Sequence, residues 1–147
     1  MAYNNIMQVA HTVNTESELA PYIWQRWIAP SLWPQDDPDT KAAGFDADPA
    51  VGVTGWVVPK SGPKSRMRVS RFEPEKTFYL QTKLPLAVMS FEHNMVRDGA
   101  DFTMTHRLVF SGPLGGLFAR LIGKKIGAGF PGVMESIVTH ARSMKDA

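Results

Sequence analysis

Residues 101–122 read DFTMTHRLVFSGPLGGLFARLI, and the spacing of the apolar side chains changes within this stretch. From Phe102 to Phe110, every second residue is apolar or a histidine, which is typical of a strand with one buried face. After Ser111-Gly112-Pro113, apolar residues recur every three or four positions, which is typical of an amphipathic helix. The stretch therefore predicts a strand over 101–110 that leads directly into a helix.

This C-terminal helix is predicted to be long, because its apolar stripe continues almost to the end of the chain. The stripe consists of Leu114, Leu117, Phe118, Leu121, Ile122, Ile126, Phe130, Val133, Met134, Ile137, Ala141 and Met144. Three glycines and a proline between Gly123 and Pro131 are expected to kink or interrupt the helix, with Pro131 near the first turn of its second half.

Upstream of the helix, six strands are predicted because runs of alternating residues are separated by turn residues. They cover 41–48, 51–59, 65–72, 77–84, 86–96 and 101–110. The last two are joined at Asp98-Gly99, a pair that favours tight hairpins. No helical stretch interrupts the six strands, so we expect them to pair in antiparallel order.

The N-terminal part adds one strand and two short helices. Residues 6–13 alternate and predict the first strand, with Met7, Val9, His11 and Val13 on one face. Residues 15–18 read as a capping box that begins a helix. Pro21 and Pro30 favour division into two short helices, and 33–39 is rich in proline and aspartate and is predicted to be a turn.

Composition limits the class of protein. A chain of 147 residues that is 44% hydrophobic predicts one domain over 1–147. It has no cysteine, which excludes disulfides, thiolate metal sites and a cysteine nucleophile. Its 16 basic and 14 acidic residues are nearly balanced, so no polyanionic partner is indicated. No secretory signal and no apolar run long enough to span a membrane is evident, and a cytoplasmic location is expected.

One curved antiparallel sheet buries one face, and the long helix is the element available to cover it. Because a sheet rarely closes completely around a single helix, we expect a cavity between them that holds a hydrophobic or aromatic small molecule. The expected lining residues are the aromatic and inward-facing ones: Trp27, Trp56, Met67, Val69, Phe78, Leu80, Met89, Phe91, His93, Met104, His106, Leu108, Phe118, Phe130, Met134 and Ile137. Trp24 and Trp33 belong to the same set of large side chains, and a core role is open for all four tryptophans.

Two histidines, His93 and His106, fall on this otherwise apolar face. They are candidates for polar groups that orient a ligand, or for a general base whose pKa is tuned by burial. The alternative is that both are core histidines with structural hydrogen bonds. His11 has a weaker form of the same pattern, and His140, at the edge of the helix stripe, is expected to be structural. No other catalytic motif, cofactor motif or metal motif is present.

Two clusters of charged residues are candidate binding sites. Asp36, Asp37, Asp39, Asp46 and Asp48 lack the spacing of a calcium loop, which favours a solvated turn. Lys60, Lys64, Arg66, Arg68 and Arg71 have only Phe72 as an aromatic neighbour on their face, which favours a solvated outer sheet face over a nucleic-acid groove.

With these elements in place, the chain resembles the SRPBCC superfamily, the helix-grip proteins that include START-related domains, birch-pollen-allergen-like proteins and the bacterial polyketide cyclase/dehydrase group. The resemblance covers residues 6–142. It is carried by Trp33-Pro-Gln-Asp-Asp-Pro-Asp-Thr-Lys, by Phe91-Glu-His93 and by Thr105-His-Arg-Leu-Val-Phe-Ser-Gly-Pro-Leu-Gly. It implies an α+β fold in which a curved seven-stranded antiparallel sheet grips the long helix around a hydrophobic cavity. It implies no single activity and no shared catalytic residue.

Three functions remain open at this point. The first is binding of a lipid-like or polyketide-like molecule in the cavity. The second is a cyclase or dehydratase, in which a buried histidine removes a proton next to a carbonyl and a second polar group holds the enolate oxygen. The third is a partner-binding module that uses the basic sheet face or the helix pair.

Overall fold

The computed structural model describes residues 7–147, in which seven strands form one antiparallel sheet. The strands are β1 (Gln8–Glu16), β2 (Thr40–Phe45), β3 (Thr54–Pro59), β4 (Ser65–Glu73), β5 (Thr77–Leu84), β6 (Ala87–Asp98) and β7 (Asp101–Ser111). Their spatial order is β1-β7-β6-β5-β4-β3-β2, so β1 pairs with β7 and every other strand pairs with its neighbours along the chain. The sequence-based strands are confirmed with shifted ends. Ile6, the predicted start of the first strand, lies outside the described residues.

Two short helices follow β1, as predicted. They are α1 (Ala20–Ile28) and α2 (Trp33–Asp36), each preceded by a short 3₁₀ turn. The predicted capping box is wrong: Thr15 and Glu16 lie in β1, and no side chain caps the turn that follows. The Glu16 carboxylate instead accepts a hydrogen bond of 2.7 Å from Arg142 near the C-terminus. The predicted turn at 33–39 is wrong in its first half, because Pro34 fits the first turn of a helix.

The C-terminal helical region consists of α3 (Gly115–Phe118), one wide π-type turn (Ala119–Gly123) and α4 (Lys124–Asp146). The predicted interruption is wrong in position, because α4 continues through Gly127, Gly129 and Pro131 and the irregular turn comes before it. Gly123 and Gly127 instead allow the helical region to approach the sheet closely, because they have no side chain at the contact. A Cβ at Gly123 would lie 2.9 Å from the Phe110 ring, and one at Gly127 would lie 2.5 Å from Val9.

The inner face of the sheet, α1 and α4 enclose the core. Every second side chain of β7 is buried, as the alternation predicts, and the same holds for Met67 and Val69 of β4 and for Phe78 and Leu80 of β5. The buried β7 residues are Phe102, Met104, His106, Leu108 and Phe110. Within residues 7–147, no helix combines the length and the apolar character needed to cross a membrane.

The outer face of β4 is exposed to solvent, which agrees with the solvated reading of the basic cluster. Arg66 pairs with Asp46 at 2.9 Å and Arg71 pairs with Glu73 at 2.7 Å, and all four side chains are largely exposed. The ammonium group of Lys64 lies 5.1 Å from the centroid of the Trp56 ring.

Candidate functional site

A cavity of about 280 Å³ lies between the inner face of the sheet and the helices. Strands β2 to β7 contribute one wall, Trp27 and Trp33 form part of a second, and the α4 residues Ile126, Val133 and Ile137 complete it. The space expected from a sheet wrapped around one helix is therefore present in the structure.

The structure divides the residues that were expected to line this space into two groups. Those that line the cavity are Trp27, Met67, Leu80, Met89, Phe91, His93, His106, Leu108 and Ile137. Those that do not are Trp56, Val69, Phe78, Met104, Phe118, Phe130 and Met134. Of the second group, all but Trp56 and Phe118 are fully buried in the core, where they contact protein on all sides. Inward orientation thus does not separate a cavity wall from the solid core behind it.

Trp56 lies on the outer face of the sheet. Its ring covers Gly44 of the neighbouring strand, so that a Cβ at Gly44 would lie 2.8 Å from the ring. The next residue, Val57, lines the cavity from the inner face. Successive residues of a strand face opposite sides of the sheet, so Val57 faces the cavity and Trp56 faces away from it. The expectation that Trp56 lines the cavity is therefore wrong.

Several lining residues were missed by the sequence argument. They are Arg26, Asp36, Asp37, Asp39, Thr40, Val57, Pro59, Ser65, Thr82, Ile126 and Val133, whereas Trp33, for which the sequence left a core role and a pocket role open, lines the cavity. Ile126 and Val133 lie on the helix stripe, and Thr82 shares the face of Leu80, so the signal for these three was available. For Arg26 and Asp36 the available indication is different. Arg26 is next to the apolar face of a short helix, and if an arginine there is buried it requires an acidic partner such as Asp36.

Three histidines form a row across neighbouring strands. His11 of β1 pairs in register with His106 of β7, and His106 pairs with His93 of β6. The ring centroids of His93 and His106 are 4.6 Å apart, and the Trp27 ring lies 5.2 Å from His93 and 5.7 Å from His106. The two histidines singled out by alternation are thus brought into contact under the helix α1.

His93 is held in one orientation. Its ring stacks on Phe91 with the centroids 4.3 Å apart and the planes nearly parallel. Its Nδ1–H donates a hydrogen bond of 2.9 Å to the backbone oxygen of Phe78. Burial lowers the pKa of His93 to about 4, so the ring is neutral at neutral pH. The other nitrogen, Nε2, then carries a lone pair.

His106 has a different environment, although it is the neighbour of His93. Neither of its ring nitrogens has a hydrogen-bond partner within residues 7–147, and both are closed off by surrounding atoms. The indole nitrogen of Trp27 is in the same situation. Burial, together with His93 and His11 nearby, holds the pKa of His106 well below its usual range. Of the two candidate histidines, only His93 has a nitrogen that is not sealed by protein.

A buried ion pair closes the other end of the cavity. Arg26 Nε donates to Asp36 at 2.8 Å, and both side chains are about 5% exposed. The second Asp36 oxygen accepts hydrogen bonds from Ser136 at 2.9 Å and from His140 at 2.8 Å. The solvated reading of the acidic cluster is therefore wrong for Asp36, because this carboxylate joins α1, α2 and α4.

The Asp37 and Asp39 carboxylates at this end also accept hydrogen bonds from protein groups. Asp37 accepts hydrogen bonds from the backbone of Asp39 and from the Thr40 hydroxyl, and Asp39 accepts one from Ser61. Among the residues with described positions, no three side chains of metal-ligating type are grouped closely enough to hold a metal ion.

Comparisons with known proteins give similarity in structure and not in sequence. Neither the protein-family models nor the curated protein sequences give a match to this chain. A START superfamily protein from Mycobacterium smegmatis superimposes with a TM-score of 0.69 at 13% identity, over 94% of this chain and 99% of that one. Ara h 8.0201 gives 0.67 at 10% identity, over 92% and 99% of the two chains.

A third similar structure is the di-domain ARO/CYC StfQ from the steffimycin biosynthetic pathway. It gives a TM-score of 0.72 at 10% identity, and the match covers 99% of this chain and 54% of StfQ. Identities this low show a shared fold and do not transfer a function. The architecture of the chain is the α+β helix-grip fold of the SRPBCC proteins.

Proposed function

We propose that this protein binds an apolar small molecule, with aromatic rings or a lipid-like or polyketide-like skeleton, in the cavity between the sheet and α4. The observation that carries the proposal is the cavity itself, about 280 Å³ in volume and walled by Trp27, Met89, Phe91, Leu108 and Ile137. Ligand sites in proteins are mostly concave and apolar with a few placed polar groups, and this cavity has that character. The helix-grip fold supports the same reading, since the ARO/CYC and START neighbours share it.

The volume limits the size of the ligand. An engineered cavity of roughly 150 Å³ lined by apolar side chains binds benzene. A space of about 280 Å³ is nearly twice as large, which suits two fused rings or a branched chain of similar bulk. A four-ring skeleton or a long acyl chain requires the walls to move apart.

A thermal-shift panel tests the proposal. Naphthalene derivatives of this size are expected to raise the melting temperature in a saturable way, because a ligand that binds only the folded state stabilises it by mass action, by about 2.7 kcal/mol at one hundred times the Kd. If no compound of one to three rings raises the melting temperature, the proposed function is wrong.

The second candidate is the cyclase or dehydratase, and one observation favours it: His93 Nε2 has a lone pair beside the cavity. Two observations count against it. A base with a pKa of about 4 is weak at neutral pH, and the neighbouring nitrogens of His106 and Trp27 are closed off, so they cannot hold an enolate oxygen in this arrangement. We therefore expect deuterium exchange next to the carbonyl of a bound naphthyl ketone to be no faster than in buffer. A faster exchange that is lost in His93→Phe would favour the enzyme.

A further inference from the structure

We infer that the ligand carries a hydrogen-bond donor, a hydroxyl or an N–H group, and that this donor binds to Nε2 of His93. The inference rests on the proposed function, because it describes the polar group of the same bound molecule. It goes further in assigning the chemical class: an alcohol, phenol, enol or amine N–H, and not a ketone, ether or pure hydrocarbon.

The contact with Phe78 fixes the tautomer of His93. The backbone oxygen of Phe78 can only accept, so the 2.9 Å contact with Nδ1 requires a proton on Nδ1. A neutral imidazole has one N–H and one lone pair. Nε2 is therefore the acceptor. The parallel stack on Phe91 and the contact with Trp27 restrict rotation of the ring, which keeps the lone pair in place.

The surroundings of His93 leave this nitrogen as the available polar contact at its end of the cavity. Within residues 7–147, His93 Nε2 has no hydrogen-bond partner. Unlike the ring nitrogens of His106 and the indole nitrogen of Trp27, it is not fully enclosed, and His93 lines the cavity. The rings against His93 are those of Phe78 and Phe91, which are apolar, and those of Trp27 and His106, whose nitrogens are fully enclosed. A ligand group next to Nε2 therefore meets no alternative donor or acceptor among these rings. A polar ligand group at this position must therefore complement an acceptor.

The polar groups at the other end do not compete. Arg26, Asp36 and Asp37 are engaged in hydrogen bonds with other protein groups. Thr82 pairs in register with Met89, which is four residues along β6 from His93, or about 13 Å at the rise of a strand. The Thr82 hydroxyl, which has no side-chain hydrogen bond within residues 7–147, is thus too distant to bind the same ligand atom as His93.

A matched pair of ligands isolates the donor. Naphthol and its methyl ether have nearly the same apolar surface, and only naphthol can donate to an acceptor. In calorimetric titrations of the intact chain, naphthol is expected to bind roughly 10- to 100-fold more tightly, because the ether leaves a buried acceptor without a partner. Naphthaldehyde, which can only accept, is expected to bind as weakly as the ether.

Two variants complete the experiment. His93→Phe retains a ring that can stack on Phe91 and removes the acceptor, so the preference for naphthol is expected to vanish. His11→Phe makes the same exchange at a half-buried histidine that does not line the cavity, and the preference is expected to persist. A difference that persists in His93→Phe overturns the inference.

A measurement on the unmodified chain keeps the inference testable if His93→Phe fails to fold. In heteronuclear NMR of the imidazole nitrogens, His93 Nε2 is expected to show the shift of an unprotonated nitrogen and to move when naphthol is added but not when the ether is added. A proton on Nε2 in the free protein overturns the inference. Equal binding of naphthol and ether overturns it while supporting the proposed function, and binding of neither overturns both.

Discussion

At the scale of single residues, His93 and His106 show how two neighbours with the same sequence pattern acquire different properties. Both lie on the inner face and pair in register, yet one donates to the Phe78 oxygen and the other has both nitrogens enclosed without a partner among the described residues. An enclosed nitrogen without a hydrogen bond costs about 1–3 kcal/mol. The fold therefore retains polar groups in its core at the expense of stability.

These histidines predict that the protein loses stability in mild acid. In the unfolded chain His93 takes up a proton near pH 6.5, whereas in the folded chain it does so only near pH 4. Between these values the unfolded state binds more protons, so the free energy of unfolding falls as the pH is lowered, by up to about 3 kcal/mol from His93. His106, whose pKa is also lowered, adds to the loss in the same direction.

Urea unfolding at several pH values between 7 and 5 measures the loss of stability that His93 causes. Most carboxylates titrate below this range, so they contribute little to the change. The decrease in the free energy of unfolding is expected to be smaller in His93→Phe than in the wild-type chain. Parallel curves for the two proteins would mean that His93 is not held neutral by burial.

At the scale of elements, the contact between α4 and β1 depends on a glycine. Gly127 faces Val9, and a Cβ there would lie 2.5 Å from a methyl group whose branched side chain has little freedom to move. Gly129, two residues later on another face of the helix, has no atom within 4 Å of such a Cβ.

Substitution of the two glycines by alanine is expected to have opposite effects. Gly129→Ala should raise the free energy of unfolding by about 0.5–1 kcal/mol, because alanine is the better helix former. Gly127→Ala should lower it by about 1–3 kcal/mol, because the helix must move away from β1. Urea denaturation of both variants checks this, and stabilisation by Gly127→Ala would contradict the close approach of the helix.

The buried pair of Arg26 and Asp36 links three helices and is expected to be important for stability. Asp36→Ala should lower the free energy of unfolding by about 3–5 kcal/mol, because Arg26 would remain charged and buried without its partner. Asp46→Ala, which removes the exposed partner of Arg66, is the matched control and should melt close to the wild-type temperature. Equal melting temperatures for the two variants would show that the pair is not buried in solution.

The sequence predicted the elements better than their contacts. Period-two alternation and turn residues place all seven strands and the inner face of β7, because these are local properties. The roles of Gly127 and Asp36 depend on Val9 and on Arg26 and His140, which come from other elements, and no local pattern indicates such partners. The prediction for Trp56 is wrong because the size of a side chain does not determine its face, whereas alternation along β3 places Trp56 on the outer side.

At the scale of the whole molecule, a bent sheet closes around one helix and leaves a space between them. The faces that bound this space could be predicted from the sequence, because alternation determines which side chains point inward. Its volume could not be predicted, because it depends on the curvature of the sheet and on how closely α1 and α4 approach it. The side chains that line this space come from several elements, among them Trp27 of α1, Trp33 of α2 and Ile137 of α4.

A calorimetric titration of naphthol into the wild-type chain and into a variant with a filled cavity tests the central claim most directly. Val57→Trp combined with Thr82→Trp places two large rings at half-buried lining positions of β3 and β5. The wild-type chain is expected to give a saturable heat of binding, and the filled variant, once circular dichroism shows that it is folded, is expected to give none. Equal binding by the two proteins, or no binding by the wild-type chain, would contradict a ligand site between the sheet and α4.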